Sequence, residues 1–315
     1  MPPVADLTLT LRNGVKMPLI GLGCWNGRTR EEALTGKDWF ISALKSGYKH
    51  LDTGHLYLTE EVVPKAIKEA GIDRKDVFIT TKVSWFQAYD VQAGFNNSLK
   101  ELDTDYVDLY LIHWPQVVER VDATDTRADP DNIAKTPGGD NKVVDRPNFN
   151  DVWAEMEKIY ESGKAKAIGV SNFSVKTLNE LLATAKVVPH VNQVEMHPYL
   201  AQPELMKFCK EKGIQLTAYT PTGYATVRND PTIGEIAKKN GVSPTQIILA
   251  WHLRRGVTLC CRSTSAERQR ENINLPTLSD EDFETINKLN RDQRVCNFPN
   301  ERGLVWGWTL ERLGW

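Results

Sequence analysis

The 315-residue sequence predicts an α/β fold, a (β/α)8 barrel of the TIM type with an N-terminal β-hairpin capping the barrel bottom. Three observations predict it. Short apolar strands and amphipathic helices alternate in eight units after an opening hairpin. The run Val107–His113 is apolar almost throughout, as a parallel strand covered on both faces must be. No linker interrupts the alternation, so residues 1–315 read as one domain. Right-handed crossovers between parallel strands close most simply into a barrel. A doubly wound sheet is the competing architecture, but Gly21-Leu22-Gly23 does not continue into the dinucleotide-binding G-x-G-x-x-G.

The elements follow in order. Leu7–Leu11 and Lys16–Leu19 flank Asn13-Gly14, a pair that favours the positive φ of a tight hairpin turn. Leu19–Leu22 reads as the first barrel strand, and Glu31–Ser46 as its helix, with Phe40, Ala43 and Leu44 on one face. Lys49–Asp52 is the second strand and Glu61–Glu69 its helix, ended by Gly71. The third unit is Val77–Lys82 with Val91–Leu102. The fourth is Val107–His113 with Asp151–Ser162, where Val152, Met156 and Ile159 recur at helical spacing. Then come Ala165–Ser171 with Val175–Thr184, and His190–Glu195 with Pro203–Lys212. Gln215–Tyr219 precedes two helices, Thr232–Asn240 and Pro244–Arg254. The last strand, Val257–Cys261, is followed by Ala266–Asn272. Gln116–Asn150, rich in Asp, Thr, Pro and Gly, interrupts the fourth unit on the strand's C-terminal side. That side is where barrels build their sites, so a long loop there is expected to cover the mouth and to stay out of the core. The tail, residues 297–315, holds Trp306, Trp308 and Trp315 and is expected to fold over the same mouth.

Composition excludes several classes. Hydrophobic residues make up 41% and charged residues 25%, which fits a globular protein and not a disordered one. A net charge of −2 and a pI near 6.3 argue against nucleic-acid binding. No apolar run is long enough to span a bilayer, and the N-terminus has no signal core. A cytoplasmic protein without membrane or nucleic-acid partners is expected, as a monomer or weak homodimer. Five cysteines (Cys24, Cys209, Cys260, Cys261 and Cys296) lack metal-ligand spacing, so free thiols and no metal site are expected.

In a barrel, residues at strand C-termini converge on one mouth. Asp52 ends the second strand and Tyr57 lies in the loop after it; Lys82 ends the third strand and His113 the fourth. Asp52 as a turn cap, Tyr57 as a surface ring, Lys82 as a snorkelling cation and His113 as a structural imidazole are each reasonable singly. Four such groups on three neighbouring strands make that combination much less probable. A phenol serves as a general acid when a nearby cation lowers its pKa, and Lys82 is placed to be that cation.

These residues resemble the aldo-keto reductase superfamily, in particular the yeast-like and fungal reductases of aldehydes, sugars and sugar acids. The matches are Asp52-x4-Tyr57, Thr81-Lys82, Leu111-Ile112-His113-Trp114, Gly169-Val170-Ser171-Asn172-Phe173, Asn192-Gln193-Val194-Glu195, and Arg262-Ser263 with Glu271-Asn272. They run in order from about residue 8 to residue 296. The resemblance implies NADP(H)-dependent reduction of a small-molecule carbonyl, with Tyr57 giving the proton, Lys82 and Asp52 tuning it, and His113 orienting the carbonyl. It implies that Ser171, Asn172 and Gln193 surround the cofactor carboxamide and that Tyr219 stacks on the nicotinamide. Thr220-Pro221-Thr222-Gly223 stands where the family usually has Ser-Pro-Leu-Gly against the pyrophosphate, so Thr220, Thr222 and Gly223 fall at that site. Arg262, Ser263, Thr264 and Arg268 would hold the adenosine 2′-phosphate, with Glu271 and Asn272 at the adenine. NAD lacks that phosphate, so NADP(H) is the expected cofactor. Trp25, His55, Trp85 and Trp114 would line the substrate pocket. The sequence departs from the family at Arg262 (commonly Lys), at Cys260-Cys261 (commonly Ile-Pro), and at Thr59 and Pro64 (commonly Asn and Gly). The superfamily also contains barrels without catalysis, so a regulatory or structural NADPH-binding subunit is the alternative.

Overall fold

The computed structural model describes residues 6–122 and 133–315. Strands β1 (Thr8–Thr10) and β2 (Lys16–Pro18) form the antiparallel hairpin, with Thr8 opposite Pro18. A closed barrel of parallel strands follows: β3 (Ile20–Gly23), β4 (His50–Asp52), β5 (Phe78–Val83), β6 (Leu109–Ile112), β7 (Ile168–Ser171), β8 (Val191–Glu195), β9 (Gln215–Tyr219) and β10 (Thr258–Cys261). β10 closes onto β3 with Leu259 opposite Ile20. Leu11 and Met17 of the hairpin pack with Phe78, Leu109, Ala167 and Val191, which lie at or just before strand starts, so the hairpin plugs the N-terminal end. The other end is left for chemistry.

The helices are α1 (Arg30–Leu34), α2 (Lys37–Lys45), α3 (Val62–Ala70), α4 (Val91–Glu101), α5 (Phe149–Glu161), α6 (Val175–Leu182), α7 (Pro203–Lys212), α8 (Tyr224–Arg228), α9 (Pro231–Asn240), α10 (Pro244–Arg254), α11 (Ala266–Asn272), α12 (Asp280–Asn287) and α13 (Leu310–Leu313). Their ends follow from local chemistry. Asn148 and Asp151 cap α5 reciprocally, Ser243 and Gln246 do the same for α10, and Gly71 ends α3 at φ 73°. The helix expected over Glu31–Ser46 is two helices. Thr35 turns its hydroxyl back onto the Glu32 carbonyl at 2.7 Å and ends α1, and Gly36 starts α2. The face formed by Phe40, Ala43 and Leu44 is buried as expected.

The insertion after β6 corrects the expectation of an unburied loop. Gln116, Val117, Val118, Ile133 and Asn141 are buried, and the segment folds back on itself through antiparallel bridges at Val118–Val143, Arg120–Ile133 and Lys135–Asn141. Apolar residues scattered among the aspartates supply a buried edge that average polarity conceals. Thr124, Asp125, Asp129 and Asp131 lie outside the described residues. The tail forms β11 (Leu304–Val305), β12 (Trp308–Thr309) and α13. It packs Val305 and Leu313 into one apolar cluster with Val118, Ile133, Trp85 and Trp114. Gln116 donates to the Val305 carbonyl at 2.9 Å, and Arg302 pairs with Asp140 at 2.6 Å. Insertion and tail are therefore one packed unit beside the loops that follow β5 and β6. Among the described residues no helix is long and apolar enough to cross a membrane.

Candidate active site

The C-terminal ends of β4, β5 and β6 bring Asp52, Tyr57, Lys82 and His113 together. Lys82 is fully buried, Asp52 and His113 are nearly so, and Tyr57 is half-buried. The Lys82 ammonium donates to Asp52 Oδ1 at 2.6 Å and to the Thr53 carbonyl at 2.8 Å. It stands 4.7 Å from the centroid of the Tyr57 ring. The Tyr57 and His113 rings meet edge to face at 5.3 Å. Tyr57 is presented by a 3-10 turn, His55–Tyr57, whose Tyr57 amide donates to the Gly54 carbonyl at 2.8 Å. Gly54 lets this loop lie on the lysine stem, since a Cβ at 54 would sit 3.3 Å from Lys82 Cβ.

The residues expected at the cofactor are arranged in a connected arc. Ser171 donates to the Gln193 carbonyl at 2.7 Å. Asn172, held at φ 66°, donates to the His113 carbonyl at 2.9 Å and accepts from the Tyr219 hydroxyl at 2.6 Å. Gln193 donates to Asp52 Oδ2 at 2.7 Å, so this arc is hydrogen-bonded directly to the ion pair. Thr220, Thr222 and Gly223 lie in the turn from β9 into α8. Gly223 has φ 60° there, and a Cβ would collide with Val227.

Beyond β10, Arg262 and Arg268 are exposed, Thr264 is exposed, and Ser263 is buried with its hydroxyl 3.2 Å from the Ser265 carbonyl. Arg262 reaches back to the loop after β3, donating to the Trp25 carbonyl at 2.9 Å and to Asn26 Oδ1 at 3.1 Å. Glu271 is half-buried. Asn272 is buried, donates to Cys261 Sγ at 3.5 Å, and leaves its Oδ1 without a partner among the described residues.

Of the expected substrate residues, Trp25 is 47% exposed, while Trp85 and Trp114 are buried with ring centroids 6.5 Å apart. Trp306 of the tail lies 5.3 Å from Trp85 and 6.2 Å from Trp114, and Trp315 lies 5.9 Å from Trp114. His55 is placed differently from Trp25, Trp85 and Trp114. It is buried, with Nδ1 3.3 Å from Glu60 Oε2 and its ring against Phe86.

Three features lay beyond sequence reasoning. Glu60, three residues after the turn, is buried between His55 and Thr81. Glu195, fully buried at the end of β8, accepts from the Val295 and Cys296 amides at 2.6 and 3.2 Å and fixes where the tail departs. Arg294 beside it stacks on the Trp315 ring at 3.4 Å, which ties that anchor to the tail's last aromatic. The third is a buried trio, His50, Asp52 and Cys260, whose potential ligand atoms lie within 4.8 Å of one another. Both Asp52 oxygens are already taken by Lys82 and Gln193, so a cation there would face the ammonium.

Protonation follows from burial and charge together. Burial pulls the Lys82 ammonium down, but Asp52 and Tyr57 outweigh it and hold the pKa above the ordinary lysine value. Burial, then the charge of Lys82, pushes His113 well below the usual imidazole range, so it is neutral. For Tyr57, burial raises the phenol and Lys82 lowers it; burial wins, and the net shift is upward. The ammonium lowers this phenol's pKa as expected, but by less than burial raises it. The site holds a protonated phenol beside a fixed cation and a neutral imidazole. That is a proton donor next to a place where negative charge can grow.

Residues 19–291 match the model of the aldo/keto reductase family. The chain belongs to this family. It is an oxidoreductase and, in its curated relatives, stands beside carbonyl- and alcohol-converting enzymes. An aldehyde reductase of Saccharomyces cerevisiae is 41% identical over 295 residues, covering 91% of this chain and 92% of the yeast protein. A glycerol 2-dehydrogenase (NADP(+)) of the same yeast is 40% identical over 291 residues, covering 90% and 91%. A glyoxal reductase of Bacillus subtilis is 40% identical over 306 residues, covering 96% and 99%. Among solved structures, the aldose reductase of Schistosoma japonicum superposes with a TM-score of 0.83 at 28% identity, covering 98% of both chains.

Proposed function

We propose that this aldo/keto reductase uses NADPH to reduce small hydroxylated or aromatic aldehydes and ketones to alcohols, with Tyr57 as the general acid. The observation that carries the proposal is the buried Asp52–Lys82 pair directly under a protonated Tyr57, with neutral His113 at its edge. When bound, the reduced dinucleotide supplies the hydride; the remaining work belongs to the chain. His113 hydrogen-bonds and orients the carbonyl oxygen. Tyr57 delivers its proton to that oxygen as charge develops. Lys82, kept ionised by Asp52, stabilises the phenolate left behind.

The residues fit an NADP(H) site by their donor set. Arg262 and Arg268 offer two exposed guanidiniums for a phosphate dianion, with Ser263 and Thr264 between them, and the unpartnered Asn272 Oδ1 can accept from an adenine amine. Ser171, Asn172 and Gln193 would bond the carboxamide, Tyr219 would stack on the nicotinamide, and Thr220, Thr222 and Gly223 would hold the pyrophosphate. Trp25, Trp85 and Trp114 are assigned to the substrate, joined by Trp306 and the insertion as a cover. His55 is assigned to the turn beneath Tyr57 because its contacts are Glu60 and Phe86. A cytoplasmic monomer or weak homodimer is the assembly we infer. A panel of sugar, sugar-acid, aliphatic and aromatic carbonyls with NADPH tests the reaction. Failure of every carbonyl to oxidise bound NADPH would favour the non-catalytic barrel.

Two expectations follow directly. Replacing Arg262 and Arg268 with Ala should weaken NADPH much more than NADH, by about 1.5–3 kcal/mol for each charge-assisted bond lost. Fluorescence titration with both cofactors checks this, and equal weakening would place the arginines away from the 2′-phosphate. The pH profile is the second. Tyr57 must be protonated to donate, and its pKa is raised, so reduction should persist through neutral pH and fall only above pH 10, its ordinary value. Alcohol oxidation, which needs the phenolate, should rise over the same range. His113 is shifted down, so no step in turnover should appear near pH 6.5. A bell-shaped profile centred on neutrality would contradict both assignments.

A further inference from the structure

Glu60 is a buried carboxylate that the proposed chemistry does not use, and it is 3% exposed. Burying a carboxylate is costly unless its oxygens are taken up. Here each oxygen has its own partner. Oε1 accepts from the Thr81 hydroxyl at 2.5 Å, and Oε2 faces His55 Nδ1 at 3.3 Å. Thr81 is the residue before Lys82 on β5. His55 opens the 3-10 turn that ends in Tyr57. The Tyr110 phenol on β6, three residues before His113, is also close enough to feel this charge, which adds to burial in raising its pKa.

We propose that Glu60 is a positioning residue of the site: its carboxylate ties the turn that carries Tyr57 to the strand that carries Lys82. The proposal deepens the reductase reading and rests on it for its kinetic arm. Tyr57 and Lys82 belong to different elements, and the 4.7 Å between ring and ammonium is set by how the turn sits on the strand. Within the loop, the Thr53 and Thr59 hydroxyls meet at 2.8 Å and close its base. Loss of Glu60 therefore leaves the loop held to β5 at its base, where Thr53 meets Lys82 and Thr80, and loosens only the turn beyond it. Small displacements of a proton donor cost turnover steeply, while the cofactor residues, on β7 to α11, are untouched.

The test removes the carboxylate and, separately, one of its arms. Glu60→Leu removes both acceptors at once at similar size. Thr81→Val removes the Thr81 arm alone at nearly constant shape, and Thr81→Ser restores its hydroxyl. Both breaking variants should lower kcat by roughly 10- to 100-fold with NADPH affinity unchanged, and Thr81→Ser should return kcat to the wild-type level. The double variant should lose little more than the worse single, because either cut releases the same turn. Hydrogen exchange of the 54–58 peptide should quicken in both breaking variants, while the β8 peptide stays protected. Wild-type kcat in either breaking variant overturns the proposal. Equal weakening of NADPH binding overturns it too, since that would mean general loosening. If wild-type protein reduces no carbonyl, the reductase reading falls, and the exchange of residues 54–58 decides the role of Glu60 alone.

Discussion

Tyr57→Phe is expected to lower turnover of carbonyl reduction by about 10²- to 10⁴-fold, the usual contribution of a positioned general acid. The substitution removes the proton and little else. The ring stays half-buried against His113 at 5.3 Å, and the Lys82 ammonium stays over its face at 4.7 Å. A cation attracts a phenyl face much as it does a phenol face, so the variant should fold with near-normal stability. NADPH affinity should be retained, because the assigned cofactor residues lie on β7 to α11. Single-turnover kinetics and a cofactor titration on the same preparation separate the two effects. Near-normal turnover on a good substrate would remove Tyr57 from the mechanism.

Much of this site is legible in the chain because barrel geometry converts sequence position into spatial position. A residue that ends a parallel strand lies at the mouth, so Asp52, Lys82 and His113 can be placed together without coordinates. Helix ends are legible for a similar local reason. Ser243 three residues before Gln246, or Gly71 after an amphipathic run, carries its signal within a single turn. What escapes is set by partners distant in sequence. Glu60 reads as the opening of a helix until Thr81, on the next strand, is seen against it. Glu195 reads as one more strand residue until the amides of Val295 and Cys296 return from the far end of the chain. The insertion misleads through averaging: its aspartates dominate the composition, while Val118 and Ile133 decide its fold. The upward shift of Tyr57 escapes for a different reason. Sequence places the cation beside the phenol, but only the packed site shows how far desolvation offsets it.

Lys82→Met should abolish reduction and also cost on the order of 3–5 kcal/mol of stability, because it leaves Asp52 as a buried charge without its counter-ion. Asp52 would keep only the Gln193 amide at 2.7 Å. The lysine pKa is raised in the folded protein, so the pair's contribution is complete below the ordinary value of 10.5 and fades only as pH rises through the higher folded value. The lysine's titration should therefore add no pH dependence to the stability loss between neutral pH and about pH 9 in denaturant titrations. Adding Asp52→Asn to Lys82→Met removes the stranded charge. Stability should then return in large part, since a neutral amide in place of the carboxylate avoids most of the desolvation cost. Turnover should not return, because the positive field beside Tyr57 is still missing. The double variant thus separates the lysine's two roles in one protein. Recovered turnover would show that the cation is dispensable for proton transfer, and an undiminished stability in Lys82→Met would show that Asp52 is not held as a charged partner.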